Sequence, residues 1–296
     1  MPNKKINTTL AAVFVIAIFS ASSSQGSMKT FEAPMDTSQW LFEGNPLGCK
    51  LTHDIPDFGK AEFDQQAGKD QTLAFRLGYK RHKIISDKVA KVRALAPPWL
   101  PLQHARELGE VDINPGSFLI SSKNIASWRL LNELEVGRFP TFFYQDFQAT
   151  EDQVAVALST VGFKTPYSHF LDCMAQLIPY SLDELTQLTL YFDFDRANIN
   201  TNDKPRLAAL ANYIKYDPSI ELVFISGHTD SKGSRSFNQK LSQRRVASVK
   251  QSLQLDGVAD SRFKTVSWGE KKPAATNRNA QGRAKNRRVY IRLAQN

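Results

Sequence analysis

The residues best suited to chemistry lie in the last third of the sequence, around one carboxylate and one guanidinium. Asp230 follows a strongly apolar stretch, and Arg245 stands 15 residues further on in a polar segment. A carboxylate accepts hydrogen bonds from an ammonium group, and a guanidinium can fork onto a carboxylate. The pair therefore suits a ligand with an ammonium and a carboxylate on one carbon. Gly227 and Gly233 would let the backbone approach it closely.

The same segment gives no sign of catalysis or of a metal centre. His228 and Ser226 lie beside Asp230, but the three crowd one short stretch and the sequence has no G-x-S-x-G nucleophile elbow. No second His, Cys or carboxylate stands at zinc-site spacing from His228. We therefore predict a binding protein without enzymatic activity, cofactor or metal.

Alternating strands and helices are predicted to position these side chains. Strands are predicted at 188–194, 220–226, 263–268 and 289–293 and helices at 205–216 and 236–255, with a long polar loop before the last strand. The strand at 220–226 is nearly continuous in apolar residues, which is typical of a central strand. Asp230 then follows the central strand. Arg245 lies within the second helix and points back toward the same loop.

The upstream half is predicted to be β-rich with few helices. Apolar residues alternate between Gly and Pro turns over 40–77, while helical spacing predicts helices at 124–135 and 167–177. Residues 154–158 alternate like a strand, but Thr150 and Gln153 have the spacing of a helix capping box, so both alternatives stay open. The fold class predicted for the whole chain is α+β.

The first 23 residues have the three-part layout of a secretory signal peptide. Lys4 and Lys5 precede an apolar run over 10–19, and small polar residues follow over 20–27. The run is about half of the ~20 residues that a membrane-spanning helix needs. We therefore expect an exported, periplasmic protein with no transmembrane segment after cleavage.

Charge is divided unevenly along the chain. Residues 188–296 contain 20 Lys and Arg against 9 Asp and Glu, whereas residues 28–187 are net acidic. A basic module can bind nucleic acid, a membrane surface or another polyanion. Export excludes nucleic acid as the partner and favours the cell wall, whose peptide stems carry many carboxylates.

The two cysteines of the chain, Cys49 and Cys173, both precede the basic part. An oxidising compartment favours pairing an even set of cysteines, so we predict one intramolecular disulfide. Cys173 falls on the apolar face of the helix predicted at 167–177, facing a sheet that could hold Cys49. Two buried free thiols are the alternative.

Four ordered segments of residues 181–296 resemble the OmpA-like peptidoglycan-binding family. They are Phe192-Asp-Phe-Asp-Arg-Ala-Asn-Ile199, Gly227-His-Thr-Asp230, Asn238-Gln-Lys-Leu-Ser-Gln-Arg-Arg-Val246 and Asn286-Arg-Arg-Val289. The resemblance implies a βαβαββ domain that binds the zwitterionic side-chain end of diaminopimelate in wall stem peptides. It also implies that one pocket is lined by Asp230, Arg245, Asn238, Thr229, Asn198 and Arg288. For Arg288, closing the sheet edge is the alternative role.

The upstream half resembles the MotY family of flagellar motor proteins. The matching segments are Trp40-Leu-Phe-Glu-Gly, Leu47-Gly-Cys-Lys-Leu, Ile55-Pro-Asp-Phe-Gly-Lys-Ala-Glu-Phe63 and Phe170-Leu-Asp-Cys-Met-Ala-Gln-Leu177. This resemblance implies a place in the periplasmic T ring of sodium-driven motors. The implied partners are peptidoglycan, the ring proteins of the basal body, a MotX-like protein and the sodium-driven stator complex.

These resemblances imply a division into three parts. Residues 1–23 would be the signal peptide, 24–180 a β-rich domain that binds the basal body or a partner, and 181–296 the wall-binding domain. The alternative function is a soluble periplasmic OmpA-family protein that binds the wall for envelope integrity. A wall-cleaving enzyme with a binding module is a third possibility.

Overall fold

The computed structural model describes residues 28–79, 88–97, 99, 104–114, 118–145 and 153–295. The predicted signal peptide lies outside the described residues. Buried side chains form two hydrophobic cores, one built between Trp40 and Leu177 and the other between Ile178 and Leu293. In the part of the chain that the structure describes, no helix is long and apolar enough to cross a membrane.

Strands dominate the described residues before 180. In chain order the elements are β1 (Met28–Phe31), β2 (Trp40–Asn45), β3 (Gly48–Ile55), β4 (Gly59–Gln66), β5 (Ala74–Tyr79), β6 (Val89–Leu95), β7 (Arg106–Asp112), β8 (Phe118–Lys123), α1 (Ile125–Glu135), β9 (Phe139–Gln145), β10 (Gln153–Ala157) and α2 (Lys164–Met174). They form two five-stranded sheets, in the orders β1-β10-β9-β6-β7 and β2-β3-β4-β5-β8. The prediction of a β-rich half with few helices is confirmed.

Alternating burial explains why these segments are strands. In β6 every second residue is buried, so one face of the strand meets the core and the other meets water. The rings of Phe75 in β5 and Phe142 in β9 stack with centroids 5.5 Å apart, one from each sheet. The segment left open between strand and helix is the strand β10, with Val154 and Val156 buried.

The predicted disulfide joins Cys49 in β3 to Cys173 in α2, so that prediction is confirmed. The two cysteines are 124 residues apart in sequence. Closing a loop of that length restricts the unfolded chain, with a stabilisation of about 4–5 kcal/mol in the chain-entropy model. The bond clamps α2 onto β2 and β3, against which the helix packs.

The remaining elements form an α+β unit around one sheet. They are α3 (Leu182–Leu185), β11 (Gln187–Tyr191), α4 (Lys204–Tyr216), β12 (Ile220–Gly227), α5 (Arg235–Leu255), β13 (Phe263–Ser267), α6 (Ala280–Asn286) and β14 (Arg288–Gln295). The sheet order is β11-β14-β12-β13, so β12 is central as predicted. Helices α4 and α5 pack against β12 and against each other.

The long polar loop predicted before the last strand is wrong in one respect, because it contains α6. Asn279 caps this helix by accepting a hydrogen bond from the Gly282 amide at 2.7 Å. Most residues of α6 are polar, so the helix has no apolar stripe for a periodicity argument to find. Capping and tertiary contacts, rather than a buried face, hold it in place.

Candidate ligand-binding site

A small pocket lies where the loop after β12 meets α5. It is lined by Phe194, Asp195, Thr229, Asp230, Lys232, Phe237, Asn238, Leu241, Arg245 and Arg287. The cavity holds about 10 Å³, close to the space that one water molecule needs. The fold thus brings four of the predicted site residues together, namely Asp230, Arg245, Asn238 and Thr229.

Asp230 lies at the base of the pocket and is 3% exposed. Its Oδ1 accepts a hydrogen bond from the Lys232 amide at 3.0 Å, and its Oδ2 accepts one from Arg287 Nη1 at 3.1 Å. A carboxylate offers about four lone-pair positions, so Asp230 can still accept from a ligand. Asp230 and Arg287 form an ion pair at 3.1 Å, and a bond between two charged groups is stronger than one between neutral groups.

Arg245 is completely buried and bound to three backbone carbonyls. Its Nε donates to Arg196 O at 2.8 Å, Nη1 to His228 O at 2.9 Å and Nη2 to Asp193 O at 3.0 Å. A guanidinium has five N–H donors, so these bonds leave one hydrogen on each terminal nitrogen. Arg245 therefore ties the loop after β11 to the end of β12 and still faces the pocket with positive charge.

Burial, followed by the nearby Arg287 guanidinium, lowers the pKa of Arg245 to about 10. The side chain stays protonated at neutral pH. Its guanidinium carbon also lies 5.1 Å from the centre of the Phe192 ring, a favourable cation–π distance. The residue thus carries a full charge in a buried place, where three carbonyl oxygens and the Phe192 ring offset the loss of water.

Thr229 leaves a hydrogen-bonding group unsatisfied. The residue is 2% exposed and lines the pocket, and its Oγ1 has no hydrogen-bond partner among the residues that the structure describes. A buried hydroxyl without a partner costs about 1–3 kcal/mol. A ligand oxygen or nitrogen in the pocket would recover that cost.

Asn238 lines the pocket, and Gly233 shapes the loop beside it. Asn238 is 1% exposed and donates from Nδ2 to Glu270 Oε2 at 2.9 Å, so its amide is held in place. Gly233 has a φ of +98°, a conformation that favours glycine. A Cβ there would also lie 3.2 Å from Cδ1 of Phe237, so glycine gives the loop its close turn.

Two predicted residues lie outside the pocket lining. Asn198 is exposed in the loop after β11, and Arg288 donates from Nη2 to Lys272 O at 3.2 Å beside the strand end. The neighbouring Arg287, which is not among the predicted site residues, reaches Asp230. Binding roles for Asn198 and Arg288 stay predictions.

His228 is a buried side chain directly after β12. It is 5% exposed, and its Nδ1 lies 3.3 Å from Lys271 O. Burial, with the positive charge of Arg288 as a second cause, lowers the pKa of His228 to about 4, so the ring is neutral at pH 7. Among the described residues, no group of three or more His, Cys, Asp and Glu side chains is placed to hold a metal ion.

Comparison with known proteins gives the class of the C-terminal part. Residues 191–287 match the OmpA family. Outer membrane porin F of Pseudomonas fluorescens is 46% identical over 103 residues, which are 35% of this chain and 31% of that protein. A crystal structure of the peptidoglycan-associated lipoprotein from Burkholderia pseudomallei is 33% identical, covering 36% of this chain and 88% of that one, with a TM-score of 0.34. The C-terminal part is an OmpA-like domain.

Comparison of the upstream part with known proteins identifies the family of the whole chain. Residues 31–179 match the MotY N-terminal domain. The sodium-type flagellar protein MotY of Vibrio parahaemolyticus serotype O3:K6 is 34% identical over 280 residues, which cover 94% of this chain and 95% of that protein. This chain belongs to the MotY family.

Proposed function

We propose that this protein anchors a periplasmic flagellar ring and its stator units to peptidoglycan, by non-covalent binding of diaminopimelate stem peptides. The observation that carries the proposal is the convergence of Asp230, Thr229 and Arg245 in one pocket of an OmpA-like domain. Each of the three retains an unused hydrogen-bonding position toward a ligand. Together they offer an acceptor and donors for one ammonium and one carboxylate.

In the bound state the ligand ammonium donates to Asp230, whose charge is already balanced by Arg287. The ligand carboxylate accepts from the remaining Arg245 hydrogens and from the Thr229 hydroxyl. The cavity is smaller than the zwitterionic end of diaminopimelate, so the pocket has to widen between Phe194 and Phe237. Phe194 and Phe237 are 62% and 39% exposed, and their rings can turn outward at little packing cost.

Family membership supports the flagellar part of the proposal. The relative that spans nearly the whole chain is named a sodium-type flagellar protein. Residues 24–180 would hold the ring proteins of the basal body, a MotX-like partner and the sodium-driven stator, while residues 181–296 grip the wall. A ring of copies would turn weak single contacts into a firm attachment, because multivalency multiplies modest affinities. Its place would be the periplasm.

Co-sedimentation with purified peptidoglycan sacculi tests the wall-binding step. The mature wild-type protein should pellet with the sacculi, and Asp230→Asn should reduce the bound fraction about tenfold, because the neutral amide cannot balance a ligand ammonium. Asp256→Asn is the matched control, since Asp256 is exposed at the end of α5, outside the pocket. Equal sedimentation of the wild type and Asp230→Asn would contradict the assigned pocket.

A gene deletion tests the flagellar step. Loss of swimming, restored by the wild type but not by Asp230→Asn, would support anchoring of the motor through the pocket. A deletion strain that swims normally but becomes sensitive to detergent would instead support the alternative role in envelope integrity. Wall hydrolysis by the purified protein would show a wall-cleaving enzyme.

A further inference from the structure

A wider groove continues from the pocket toward α6. It shares Phe194, Asp230, Lys232 and Arg287 with the pocket and adds Ala280 and Arg283. The groove has a volume of about 340 Å³, against about 10 Å³ for the pocket. A stem peptide that places its zwitterionic end in the pocket therefore has room for the rest of its backbone along this groove.

The groove wall is strongly positive. Lys232, Arg283 and Arg287 are its cations, and Asp230 is its only carboxylate among the described residues. Arg287 Nη1 is already bound to Asp230, and its Nε donates to Phe192 O at 3.0 Å. Lys232 and Arg283 therefore remain in excess, without an acidic side chain in the groove to balance them.

The guanidinium of Arg283 is oriented by two hydrogen bonds and has further N–H donors for an anion. Its Nη1 donates to Asn277 O at 2.9 Å and to Arg278 O at 3.2 Å, which fixes the guanidinium plane. These bonds leave Nε and Nη2 as further donors, and an oriented guanidinium loses little entropy on binding a carboxylate. Lys232 is exposed at the groove mouth and supplies a mobile second cation.

We propose that this groove is a second subsite, in which Lys232 and Arg283 bind another carboxylate of the stem peptide. The inference rests on the proposed function and adds the chemical feature that the groove would recognise. A diaminopimelate residue in a stem has carboxylates on either side, one on the preceding γ-linked glutamate and one on a terminal alanine. Both are separated from the zwitterionic end by the diaminopimelate side chain, so they fall in the groove rather than in the pocket.

The subsite makes amidation of the stem a determinant of binding. A carboxylate converted to an amide loses its charge and its bond to Lys232, while the zwitterionic end is unchanged. The affinity of the domain would then depend on two separated anionic groups. A wall with amidated stems would be held less firmly.

Isothermal titration of the mature protein with synthetic stem peptides tests this. The probes are a tripeptide with a free glutamate carboxylate, the same tripeptide with that group amidated, and tetrapeptides with a free or amidated terminal alanine. Lys232→Gln should weaken binding of the fully carboxylated peptide about three- to tenfold. Lys285→Gln is the matched control, because Lys285 is exposed on α6 and outside the groove lining, and it should bind as the wild type does.

The amide series identifies the source of the carboxylate. One amidated peptide should bind the wild type more weakly, and it should bind the wild type and Lys232→Gln equally. The carboxylate that is amidated in that peptide is the group that the groove binds. Because Arg283 also supports its own loop, Lys232→Gln is the decisive variant, and its melting temperature should match that of the wild type. Arg283→Gln, where it remains folded, should weaken the same peptide.

Two results would overturn the inference. Wild type and Lys232→Gln that bind every peptide alike, with neither amide weakening wild-type binding, would remove the second subsite and leave the zwitterion pocket intact. Wild-type protein that binds none of the peptides would remove the proposed function and the subsite together. The two failures are distinguished by whether the unmodified tripeptide gives heat of binding.

Discussion

At the scale of single residues, side chains that line the pocket also support the fold. Arg245 donates three hydrogen bonds to backbone carbonyls, and its other two N–H groups are not used in these bonds. Asp230 is held by Arg287 and by the Lys232 amide. Substitutions here therefore act on stability and on binding at once, and Asp230→Asn separates the two more cleanly than removal of Arg245.

Arg245→Ala should lower the free energy of unfolding by about 3 kcal/mol or more, because three buried carbonyls lose a charged donor. Urea unfolding at neutral pH measures the loss. The neighbouring Arg244→Ala is the control, because Arg244 is exposed and its change should stay within about 0.5 kcal/mol. Equal stability of the two variants would show that the bonds to the carbonyls contribute little.

The lowered pKa of His228 predicts how the free energy of unfolding depends on pH. Its pKa in the folded protein is about 4, below its ordinary value of 6.5, so the unfolded chain binds more protons between these values. Stability contributed by the neutral ring is therefore complete above pH 6.5 and is lost as the pH falls toward 4, by about 2–3 kcal/mol. His53, also buried with a lowered pKa, acts in the same direction.

Urea midpoints at pH 7.5, 5.5 and 4.5 check this dependence. His228→Gln should be less stable than the wild type at pH 7.5 and should lose less stability on acidification. The remaining slope in the variant would come from His53 and the carboxylates. A variant with the same pH slope as the wild type would show that His228 does not titrate in this range.

At the scale of elements, the periodic segments were predictable and the polar ones were not. The central strand β12 and the helices α4 and α5 bury apolar residues at the spacing of their secondary structure, which makes them visible in the sequence. Helix α6 buries Gly282 and the polar Asn286 instead. Its position depends on side-chain hydrogen bonds that no hydrophobic pattern reveals.

Asn286 is the centre of that support. It is fully buried, accepts from the Ala274 and Ala275 amides at 2.8 and 2.9 Å, and donates to Ala275 O and Asn277 Oδ1. Asn286→Ala should cost about 2–3 kcal/mol, because buried backbone groups lose their partners. Hydrogen exchange should then rise over residues 274–286.

The exposed Lys285→Ala, one position earlier on α6, is the comparison for Asn286→Ala. It should leave exchange in the loop unchanged, since Lys285 lies on the solvent side of the helix. Exchange that stays slow in Asn286→Ala would show that other contacts hold the loop. In that case the orientation of α6 would not depend on this side chain.

At the scale of the whole molecule, the two hydrophobic cores are joined by backbone hydrogen bonds. Ile178 N donates to Pro46 O at 3.1 Å, and Gly68 N donates to Ile178 O at 2.9 Å. Leu47 and Ala67, from the first half of the chain, pack against the second core. A force applied at the pocket would therefore be transmitted to the first core through ordered structure.

The disulfide should stabilise the first core more than the second. Cys49→Ser with Cys173→Ser should lower the stability of residues 28–177 by about 4 kcal/mol, because the unfolded chain regains the freedom of a long loop. Unfolding monitored at Trp40, which is buried in the first core, measures this loss. Binding to sacculi at low temperature should remain, because the pocket lies in the second half of the chain.

Reduction of the wild type should reproduce the shift of the double serine variant. If reduced and oxidised proteins unfold at the same midpoint, the bond does not contribute to equilibrium stability. Loss of sacculus binding in a folded double variant would show that the first core controls the pocket.

The sequence by itself determined the class of protein and most of its elements. Motif order and hydrophobic periodicity are local properties of the chain, so it was predictable that Asp230 and Arg245 would meet in one pocket built from a strand, a loop and a helix. The β-rich first half was predictable for the same reason. The disulfide was predictable because the chain has two cysteines and is expected to be exported. The strand at 154–158 stayed open, because Thr150 and Gln153 also have the spacing of a helix capping box.

Only the tertiary structure decided which arginine reaches Asp230. Arg287 and Arg288 are adjacent, and neighbouring residues at a strand end point to opposite faces. Arg287 is the last residue before β14 and its guanidinium reaches Asp230, whereas Arg288 begins β14, pairs with Tyr191 and donates to Lys272 O. The charged groove beside the pocket also depends on α6, which is positioned by side-chain hydrogen bonds to the preceding loop rather than by a hydrophobic pattern.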